Sequence, residues 1–252
     1  MRIISWNVCG FKSVCEKGLS KLEDYKPDII CLQEIKTEKA NIPLKFLLSG
    51  YKLYINPARF HGTAVLTKLS SLKVIKKIGH PKFDSEGRFL RLDFPKFTLI
   101  NVYMPHGGRN KERMNYKIET YDFLLEYLKK IVDGNVILVG DFNIAHKPID
   151  LARPRENINN TMFTLQERSK IDGLLKLGFV DSFRKFCKAG GHYTWWLRAY
   201  NAREKNVGWR IDYIFVSKNL ESNLKDAFIL SEVEGSDHCP IGIELEVETF
   251  KF

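Results

Sequence analysis

The chain has 252 residues, of which 44% are hydrophobic, and its 40 lysines and arginines outnumber its 30 acidic residues to give a formal net charge of +10. This length and composition exclude fibrous and disordered classes, and they favour a single α/β domain over residues 1–252. The charge favours a polyanionic partner, nucleic acid above all, although a lysine-rich solvated surface is an equally good interpretation of charge alone.

Short apolar runs in the first part of the chain predict β-strands. Their length and their β-branched or aromatic content are typical of strands. The first run ends at the polar residue Asn7 and the second at Glu34, and weaker helical patterns cover 17–25 and 41–49. The predicted strands are 2–8, 28–34, 51–55, 62–67, 72–78, 89–94 and 97–104.

The rest of the chain adds two helices to the strand pattern. Apolar residues recur at three- and four-residue spacing over 113–133 and Gly134 follows as a stop, which predicts an amphipathic helix. A second helix is predicted over 165–177, because Thr164 and Glu167 form a capping-box pattern at its start. Further strands are predicted at 136–142, 210–216 and 241–247.

Polar residues collect where these strands end or begin. Asp141 ends one apolar run and Asn143 follows it, while Asp212 opens another run and the pair Asp237 and His238 precedes the last. If strands of both directions lie in packed sheets, these ends meet at one rim. The sequence therefore predicts one site that contains Asn7, Glu34, Asp141, Asn143, Asp212, Asp237 and His238.

Four carboxylates at one rim repel each other unless a cation or shared protons lie between them. The set is rich in oxygen ligands, with one imidazole and no thiolate cluster, so a hard ion such as Mg²⁺ fits it better than Zn²⁺. A divalent ion beside carboxylates and amides suits phosphate ester chemistry. Each residue taken singly is more often a turn, cap or surface residue, so the prediction depends on the joint pattern.

The cysteines and the apolar runs bear on location. The five cysteines are odd in number and contain no CxxC pair, which favours reduced thiols. No apolar stretch approaches the ~20 residues that span a bilayer, and the start of the chain reaches a polar residue too early for a signal peptide. We therefore expect a cytoplasmic, intracellular protein with no membrane partner.

Five segments of the chain carry a recognisable pattern: SWNVCGF at 5–11, DIICLQEIK at 28–36, GDFNIAHKPIDLARPREN at 140–157, NVGWRIDYIFVS at 206–217 and GSDHCPIG at 235–242. They resemble the ordered motifs of the exonuclease III family, which are class II abasic-site endonucleases of the DNase I-like endonuclease/exonuclease/phosphatase superfamily. The third and fourth segments are the most specific, and shorter matches at 83–91 and 101–109 extend the resemblance over nearly the whole chain.

This resemblance implies a four-layer α/β sandwich, in which two mixed β-sheets pack face to face and are flanked by helices. It also implies a Mg²⁺-dependent DNA repair nuclease, with Mn²⁺ able to replace Mg²⁺, that cleaves the phosphodiester 5′ to an abasic site and leaves a 3′-hydroxyl. Side activities as a 3′→5′ exonuclease and 3′-phosphodiesterase are implied too. The expected substrate is double-stranded DNA with abasic or 3′-blocked sites, and the expected enzyme is a monomer.

The resemblance assigns metal binding by matching position. Glu34 is similar to the family's principal metal ligand, and Asn7 and Asp237 match positions beside it. Cys9 departs from the family, which usually carries Asp or Asn there, so a secondary metal contact is expected to be missing or mediated by water. His106 departs as well, because an asparagine usually follows Tyr-x-Pro.

The resemblance also assigns catalytic roles. Asp141 matches the carboxylate that activates the attacking water, while Asn143 and Tyr103 match groups that contact the scissile phosphate. The family assignment of the base among such groups is open. His238 matches an imidazole that faces the phosphate, and Asp212 matches the carboxylate that orients it.

DNA contacts are predicted mainly in the loops. Basic side chains there contact phosphates, whereas Trp195 and Trp209 match residues of the pocket that holds the extruded abasic sugar. Trp196 is expected to be an ordinary core residue. The predicted DNA-binding residues are Lys12, Lys36, Arg109, Arg153, Asn157, Trp195, Arg203 and Trp209.

The sequence leaves three other functions open. One is a nuclease of the same fold with broader specificity, for example one that nicks at uridine in DNA. Another is a phosphoesterase acting on a non-DNA substrate such as an inositol phosphate or a lipid headgroup. The third is a catalytically silent DNA-binding module, which the polar residues at every position of the proposed centre disfavour.

Overall fold

β-Strands form the centre of the molecule. The structure is a computed structural model that describes residues 1–38 and 44–246. Most strands occur where β-branched and aromatic residues dominate the sequence. In chain order they are β1 Arg2–Asn7, β2 Ile29–Gln33, β3 Lys52–Asn56, β4 Thr63–Thr67, β5 Lys73–Ile75, β6 Phe89–Asp93, β7 Thr98–Tyr103, β8 Val136–Asp141, β9 Phe179–Asp181, β10 Trp195–Trp196, β11 Gly208–Trp209, β12 Asp212–Ser217, β13 Leu224–Ile229 and β14 Ile241–Leu245.

Helices connect these strands. The strongest sequence pattern gives the longest helix, and the Thr164–Glu167 capping box is formed as predicted. Short 3-10 helices cover Leu19–Tyr25, Pro148–Asp150 and Lys218–Asn223. The α-helices are α1 Phe11–Lys17, α2 Leu44–Leu48, α3 Pro81–Ser85, α4 Met114–Lys129, α5 Leu165–Lys176 and α6 Ser182–Phe186.

Two six-stranded sheets pack face to face and helices cover their outer faces. The first sheet has the order β13-β14-β1-β2-β4-β3 and the second β5-β6-β7-β8-β12-β9, while β10 and β11 form a separate ribbon. An apolar core between the sheets includes Ile3, Val65, Leu99 and Val139. Separate clusters join α1 and α2 to the first sheet and α4 and α5 to the second. The predicted four-layer α/β sandwich is confirmed.

The register of the central strands brings polar residues to one edge. β1 and β2 are parallel and place Asn7 opposite Gln33, whereas β7 and β8 are parallel and place Tyr103 opposite Asp141. β12 runs antiparallel to β8, so Asp212, its first residue, pairs with Asp141, the last residue of β8. The carboxyl ends of some strands thus meet the amino end of another, as the sequence predicted.

Most predicted elements are present with shorter bounds. Every predicted strand has a counterpart, and the helix predicted over 113–133 covers Met114–Lys129. The helix predicted over 17–25 is instead a 3-10 helix that follows α1, and the one predicted over 41–49 is α2, its first three residues lying outside the described residues. Within the described residues, no helix combines the length and the apolar composition needed to cross a membrane.

Candidate active site

Asn7 joins the two sheets at the rim where the polar strand ends meet. Its side-chain Nδ2 donates to Oε2 of Glu34 at 3.1 Å and to Oδ2 of Asp141 at 2.8 Å, so carboxylates from both sheets share one amide. Asn7 is fully buried and Asp141 nearly so. Because a buried amide needs hydrogen-bond partners, this contact fixes the relative positions of the two carboxylates.

Asp141 is the last residue of β8, and Asn143 lies in the turn that follows it. Gly140, with φ at +141°, precedes Asp141, and Asn143 has a left-handed φ of +51°. The Asn143 backbone N–H donates to Oδ1 of Asp141 at 2.8 Å, and its side-chain Nδ2 donates to the Met104 carbonyl at 2.9 Å. Non-glycine residues adopt a left-handed φ mainly where neighbouring contacts hold them, which is common at functional sites.

His238 and Asp212 form a buried pair opposite Asp141. Nδ1 of His238 lies 2.8 Å from Oδ2 of Asp212, and Nε2 lies 3.9 Å from Oδ2 of Asp141. Thr194 donates its hydroxyl to Oδ2 of Asp212 at 2.6 Å and accepts from the Asp212 backbone N–H. The imidazole is therefore held between two carboxylates that belong to adjacent strands.

Burial and neighbouring charge shift the protonation of this cluster. Burial, reinforced by the negative charge of Asp212, raises the pKa of Asp141 to about 7. Burial alone would lower the pKa of His238, but attraction to Asp212 and Asp141 outweighs it and raises that pKa to about 10. At neutral pH the cluster thus combines a cationic imidazole with a carboxyl group that is balanced between its two protonation states.

Glu34 and Tyr103 lie at the same rim. Glu34 has a left-handed φ of +56°, and its Oε1 is 2.6 Å from the ammonium group of Lys36. Burial opposes ionisation of Glu34, yet its contacts with Lys36 and Asn7 hold its pKa below the usual value. The Tyr103 phenol is half-buried beside Glu34, and burial together with that charge raises its pKa well above the usual value. Tyr103 is therefore a neutral hydroxyl at physiological pH.

The donor atoms fit a hard divalent cation. One ligand atom from each of Asp141, Asp212 and His238 lies within 4.8 Å of the others, so this cluster can hold a metal ion. Oδ1 of Asp212 is buried and has no hydrogen-bond partner in the described part of the chain, and Glu34 adds a further carboxylate through Asn7. Carboxylate and amide oxygens are the ligands that Mg²⁺ and similar ions prefer.

Asp237 is held differently from the other acids. Its Oδ2 accepts from the Trp195 indole at 3.2 Å and its Oδ1 from Arg198 at 2.9 Å. The negative charges of Glu34 and Asp237 both raise the pKa of Cys9, although burial is the larger cause. Cys9 is therefore close to both Glu34 and Asp237.

Aromatic side chains form one wall beside the polar cluster. Trp195 and Trp209 are direct partners in the β10–β11 ribbon, and both pack against an apolar cluster that includes Leu151 and Phe163. Both indoles are half-buried, so part of each ring faces solvent. Trp196, by contrast, is buried and donates to Oδ1 of Asn206 at 3.2 Å, which agrees with the core role expected for it.

The residues predicted to bind DNA fall into two groups. Lys12, Arg109 and Arg153 are exposed, whereas Lys36 contacts Glu34 and Cys9 within the rim. Arg203 is half-buried and donates to the backbone carbonyls of 231, 233 and 236 while it covers the Trp196 ring. Arg203 therefore helps to hold that loop, and its phosphate contact stays a prediction.

Asn157 is tied to the backbone beside Arg153. It donates to the Arg153 carbonyl at 2.8 Å and accepts from Asn160 at 2.8 Å, so it orders the loop that displays Arg153. Arg153 itself has a φ of +121°. The two residues that depart from the family pattern make hydrogen bonds with nearby residues. Cys9 donates its backbone N–H to Oδ1 of Asn7, and His106 accepts from the Gly108 N–H.

Sequence reasoning missed several polar residues that support the site. Thr194 contacts Asp212, but a lone threonine before two tryptophans gives no local signal of that. Gln33 donates to Ser5 at 2.9 Å and to Asn101 of the other sheet at 2.7 Å. The sequence does contain a signal for Gln33 and Asn101, because each is a polar residue inside an otherwise hydrophobic strand.

Comparison with known proteins identifies the family of this chain. Residues 4–238 match the model of the endonuclease/exonuclease/phosphatase family. The chain belongs to this family. An exodeoxyribonuclease of Bacillus subtilis (strain 168) is 41% identical over 254 residues, which cover 98% of this chain and all of that protein. The family prediction made from the sequence motifs is confirmed, and so is the prediction of a hydrolytic nuclease.

Other members of the endonuclease/exonuclease/phosphatase family extend the comparison. A DNA-(apurinic or apyrimidinic site) endonuclease of Dictyostelium discoideum is 41% identical over 256 residues, covering 98% of this chain and 71% of that protein. The solved structure of a 3′ phosphatase from Neisseria bound to a product DNA hairpin has a TM-score of 0.92 and 27% identity, covering 98% of this chain and all of the other.

Proposed function

We propose that this protein is a Mg²⁺-dependent DNA repair nuclease that hydrolyses the phosphodiester 5′ to an abasic site and leaves a 3′-hydroxyl. We further propose 3′→5′ exonuclease and 3′-phosphodiesterase side activities. The observation that carries the proposal is the joining of Glu34, Asn7 and Asp141 by hydrogen bonds beside the His238–Asp212 pair. Relatives named as an exodeoxyribonuclease and as an apurinic or apyrimidinic site endonuclease support the substrate class.

Asp141 is suited to activate the attacking water. A general base works best when its pKa is near the operating pH, and burial raises the pKa of Asp141 to about 7. Its Oδ1 is fixed by the Asn143 N–H and its Oδ2 by Asn7. The carboxylate thus has a defined direction, and the proton it removes from water stays inside the cluster.

His238 and Asn143 are suited to bind the scissile phosphate. His238 is a cation at neutral pH because its pKa is raised to about 10, and Asp212 orients it through Nδ1. This leaves Nε2 as a charged donor toward developing negative charge. The neutral Tyr103 hydroxyl lies at the same rim and is a further donor, whereas the Asn143 amide donates to Met104 and Asp141 and would exchange one of these contacts for the phosphate.

We propose that the metal ion lies on the Glu34 side of the rim and not among Asp141, Asp212 and His238, because the raised pKa of His238 keeps its imidazole protonated and unable to bind a cation. We propose that Glu34 and Asn7 hold Mg²⁺, with Asp237 at the edge of the site, and that Mn²⁺ can replace it. When bound, the ion supplies charge neutralisation to the phosphate and to the leaving 3′-oxygen. The protein groups then have two separate tasks, since Asp141 handles the proton of the water and His238 contacts the phosphate.

We propose that the aromatic wall of Trp195 and Trp209 gives the enzyme its preference for a sugar that carries no base. Trp195 and Trp209 expose part of each ring beside His238, and the Trp195 and His238 ring centroids are 6.5 Å apart. A flipped-out deoxyribose is small and partly apolar, so it can pack against such a surface where a nucleotide with its base is too large. We propose that exposed Lys12, Arg109 and Arg153, with Lys36 at the rim, contact the phosphates of double-stranded DNA.

Incision of defined oligonucleotides tests the proposal. A duplex with one tetrahydrofuran abasic analogue is incubated with Mg²⁺ or with EDTA, beside a duplex that contains uridine and an unmodified duplex. We expect incision 5′ to the analogue with Mg²⁺ and none with EDTA. Equal incision of the uridine duplex would favour the broader nuclease, whereas no incision with DNA still bound would favour the silent binding module.

Three further proposals accompany this function. The protein acts as one domain over residues 1–252, as a monomer and in the cytoplasm. Size-exclusion chromatography with light scattering tests the monomer, and a mass of twice 29.3 kDa would contradict it.

A further inference from the structure

A buried ion pair lies behind the turn that carries Asn143. The Lys117 ammonium group, on α4, donates to the Asn143 carbonyl oxygen at 2.6 Å and to Oε1 of Glu167, on α5, at 2.6 Å. Both charged side chains are completely buried. Since a buried charge is costly unless it is paired and hydrogen-bonded, these contacts account for why a lysine is tolerated here.

Glu167 gives Lys117 a stationary partner. Its Oε1 also accepts from the Met162 N–H at 2.9 Å, and its Oε2 accepts from the backbone N–H and the hydroxyl of Thr164 at 3.0 and 2.7 Å. Burial opposes ionisation of Glu167, but attraction to Lys117 outweighs it and lowers the pKa. The carboxylate is thus an anion fixed to the first turn of α5.

The Asn143 turn needs contacts that hold its left-handed conformation. Two of them face the site, from the backbone N–H to Asp141 and from the side chain to the Met104 carbonyl. The third is the carbonyl, which points away from the site into the protein and accepts from Lys117. Rotation of that carbonyl would turn the peptide between Asn143 and Ile144, change ψ of Asn143 and so disturb the left-handed conformation that directs the Asn143 N–H and side chain.

We propose that Lys117, paired with Glu167, is a positioning residue that sets the Asn143 turn for catalysis. The proposal deepens the function proposed above and rests on it. Lys117 is completely buried and so does not contact DNA. It acts through the Asn143 carbonyl, and its loss should reduce the rate of incision more than the affinity for substrate.

A charge-neutral double variant tests this role. Lys117→Met keeps the shape of the side chain but leaves Glu167 as an unpaired buried charge, so it is combined with Glu167→Gln. We expect single-turnover incision of the abasic duplex to slow by ~10-fold or more while DNA affinity stays within ~3-fold. Hydrogen exchange of the Asn143 N–H should become ~10-fold faster, because its contact with Asp141 loosens.

Lys170→Met is the matched control. Lys170, on α5, lies 2.5 Å from Asp122, on α4, so this change removes an ion pair between the same two helices without touching Asn143. We expect wild-type incision and wild-type Asn143 exchange. A loss equal to that of the double variant would mean that helix docking alone explains both, and would overturn the positioning role.

A milder variant covers the case in which the double variant unfolds. Glu167→Asp alone keeps the negative charge but draws the carboxylate back by one methylene from Lys117 and Met162, and we expect slower incision and faster Asn143 exchange than in the wild type. Wild-type values of both quantities, in either variant, would overturn the proposal. If the wild type itself does not incise abasic DNA, the proposed function fails, while the exchange measurement still tests whether Lys117 holds the turn.

Discussion

Asp141 has more fixed contacts than a side chain at the end of a strand normally has. Asn7, the Asn143 N–H and His238 surround it, and Asp212 is its strand partner. The hydrogen bonds from Asn7 and Asn143 set its direction, whereas burial and the negative charge of Asp212 raise its pKa. A carboxyl group held in this way can take a proton without moving, which lowers the reorganisation needed during hydrolysis.

We expect Asp141→Asn to remove most turnover while it preserves the fold. An amide of nearly the same shape can keep part of the hydrogen bonding but cannot accept a proton, so the single-turnover rate should fall by roughly 10²–10⁴-fold. Quenched-flow incision assays measure the rate, and thermal unfolding and DNA binding check the fold. Asp122→Asn, at an exposed position of α4, serves as the control. A near-normal rate would exclude Asp141 as the base.

At the scale of single residues, the sequence predicted the candidate site residues better than the hydrogen-bond partners that hold them. The residues at strand ends were identified because polarity changes abruptly there. Thr194 and Lys117 were missed, because their partners are 18 and 26 residues away and no local pattern encodes such contacts. Arg203 was assigned to DNA on its charge, whereas its guanidinium group is used by backbone carbonyls.

At the scale of elements, most strands that local pattern predicted have long buried runs, although β3 and β5 were predicted and are mostly half-buried or exposed. β13 was missed because its burial alternates irregularly and a register shift lies near its start. β9 has three residues, and the two-residue strands β10 and β11 exist only through pairing with each other. Helix α4 was predicted because its apolar spacing extends over several turns.

Gly140 shows how one strand end depends on glycine. An added Cβ at this position would lie 1.9 Å from the Val102 carbonyl oxygen on the neighbouring strand, and φ is +141°. We expect Gly140→Ala to lower the free energy of unfolding by about 3 kcal/mol or more and to abolish incision, because the β7–β8 pairing next to Asp141 must shift. Urea titration measures the loss of stability.

Gly191→Ala is the matched control for this change. Gly191 also has a positive φ, of +84°, but no atom lies within 4 Å of the added Cβ. The control should lose only about 1–2 kcal/mol from backbone strain and should keep its incision rate. Equal losses in the two variants would show that the close contact with Val102 is not what requires glycine.

At the scale of the whole molecule, a buried ionic network joins distant segments. Oδ1 of Asp150 lies 2.8 Å from Nε of Arg210, which precedes β12, and 2.6 Å from Nη2 of Arg184, on α6. Arg210 also contacts Asp181 at 2.7 Å. Burial would raise the pKa of Asp150, but the two arginines outweigh it and hold that pKa below its usual value.

The contribution of ionised Asp150 to the stability of the fold can be tested at acidic pH. A carboxyl group with a lowered pKa stabilises the folded state above its unfolded pKa of about 4, and this contribution is lost as pH falls through the folded pKa. We expect Asp150→Asn to cost about 3–5 kcal/mol at pH 7, since it leaves buried Arg210 poorly paired, and this difference from the wild type should shrink toward pH 2.

Urea unfolding at a series of pH values measures that difference. Asp24→Asn, at an exposed position in the first 3-10 helix, should follow the wild-type curve throughout. If the difference between Asp150→Asn and the wild type stayed constant with pH, the ionised carboxylate would not be the source of the stability.

The pairing of β1 with β14 has a consequence for the time at which this protein can first act. Asn7 lies in β1 and His238 just before β14, so the ribosome synthesises the two sides of the site far apart in time. A growing polypeptide that ends before His238 leaves β1 paired with β2 alone and has no imidazole opposite Asp141. The catalytic cluster therefore cannot assemble until the segment through β14 has been synthesised.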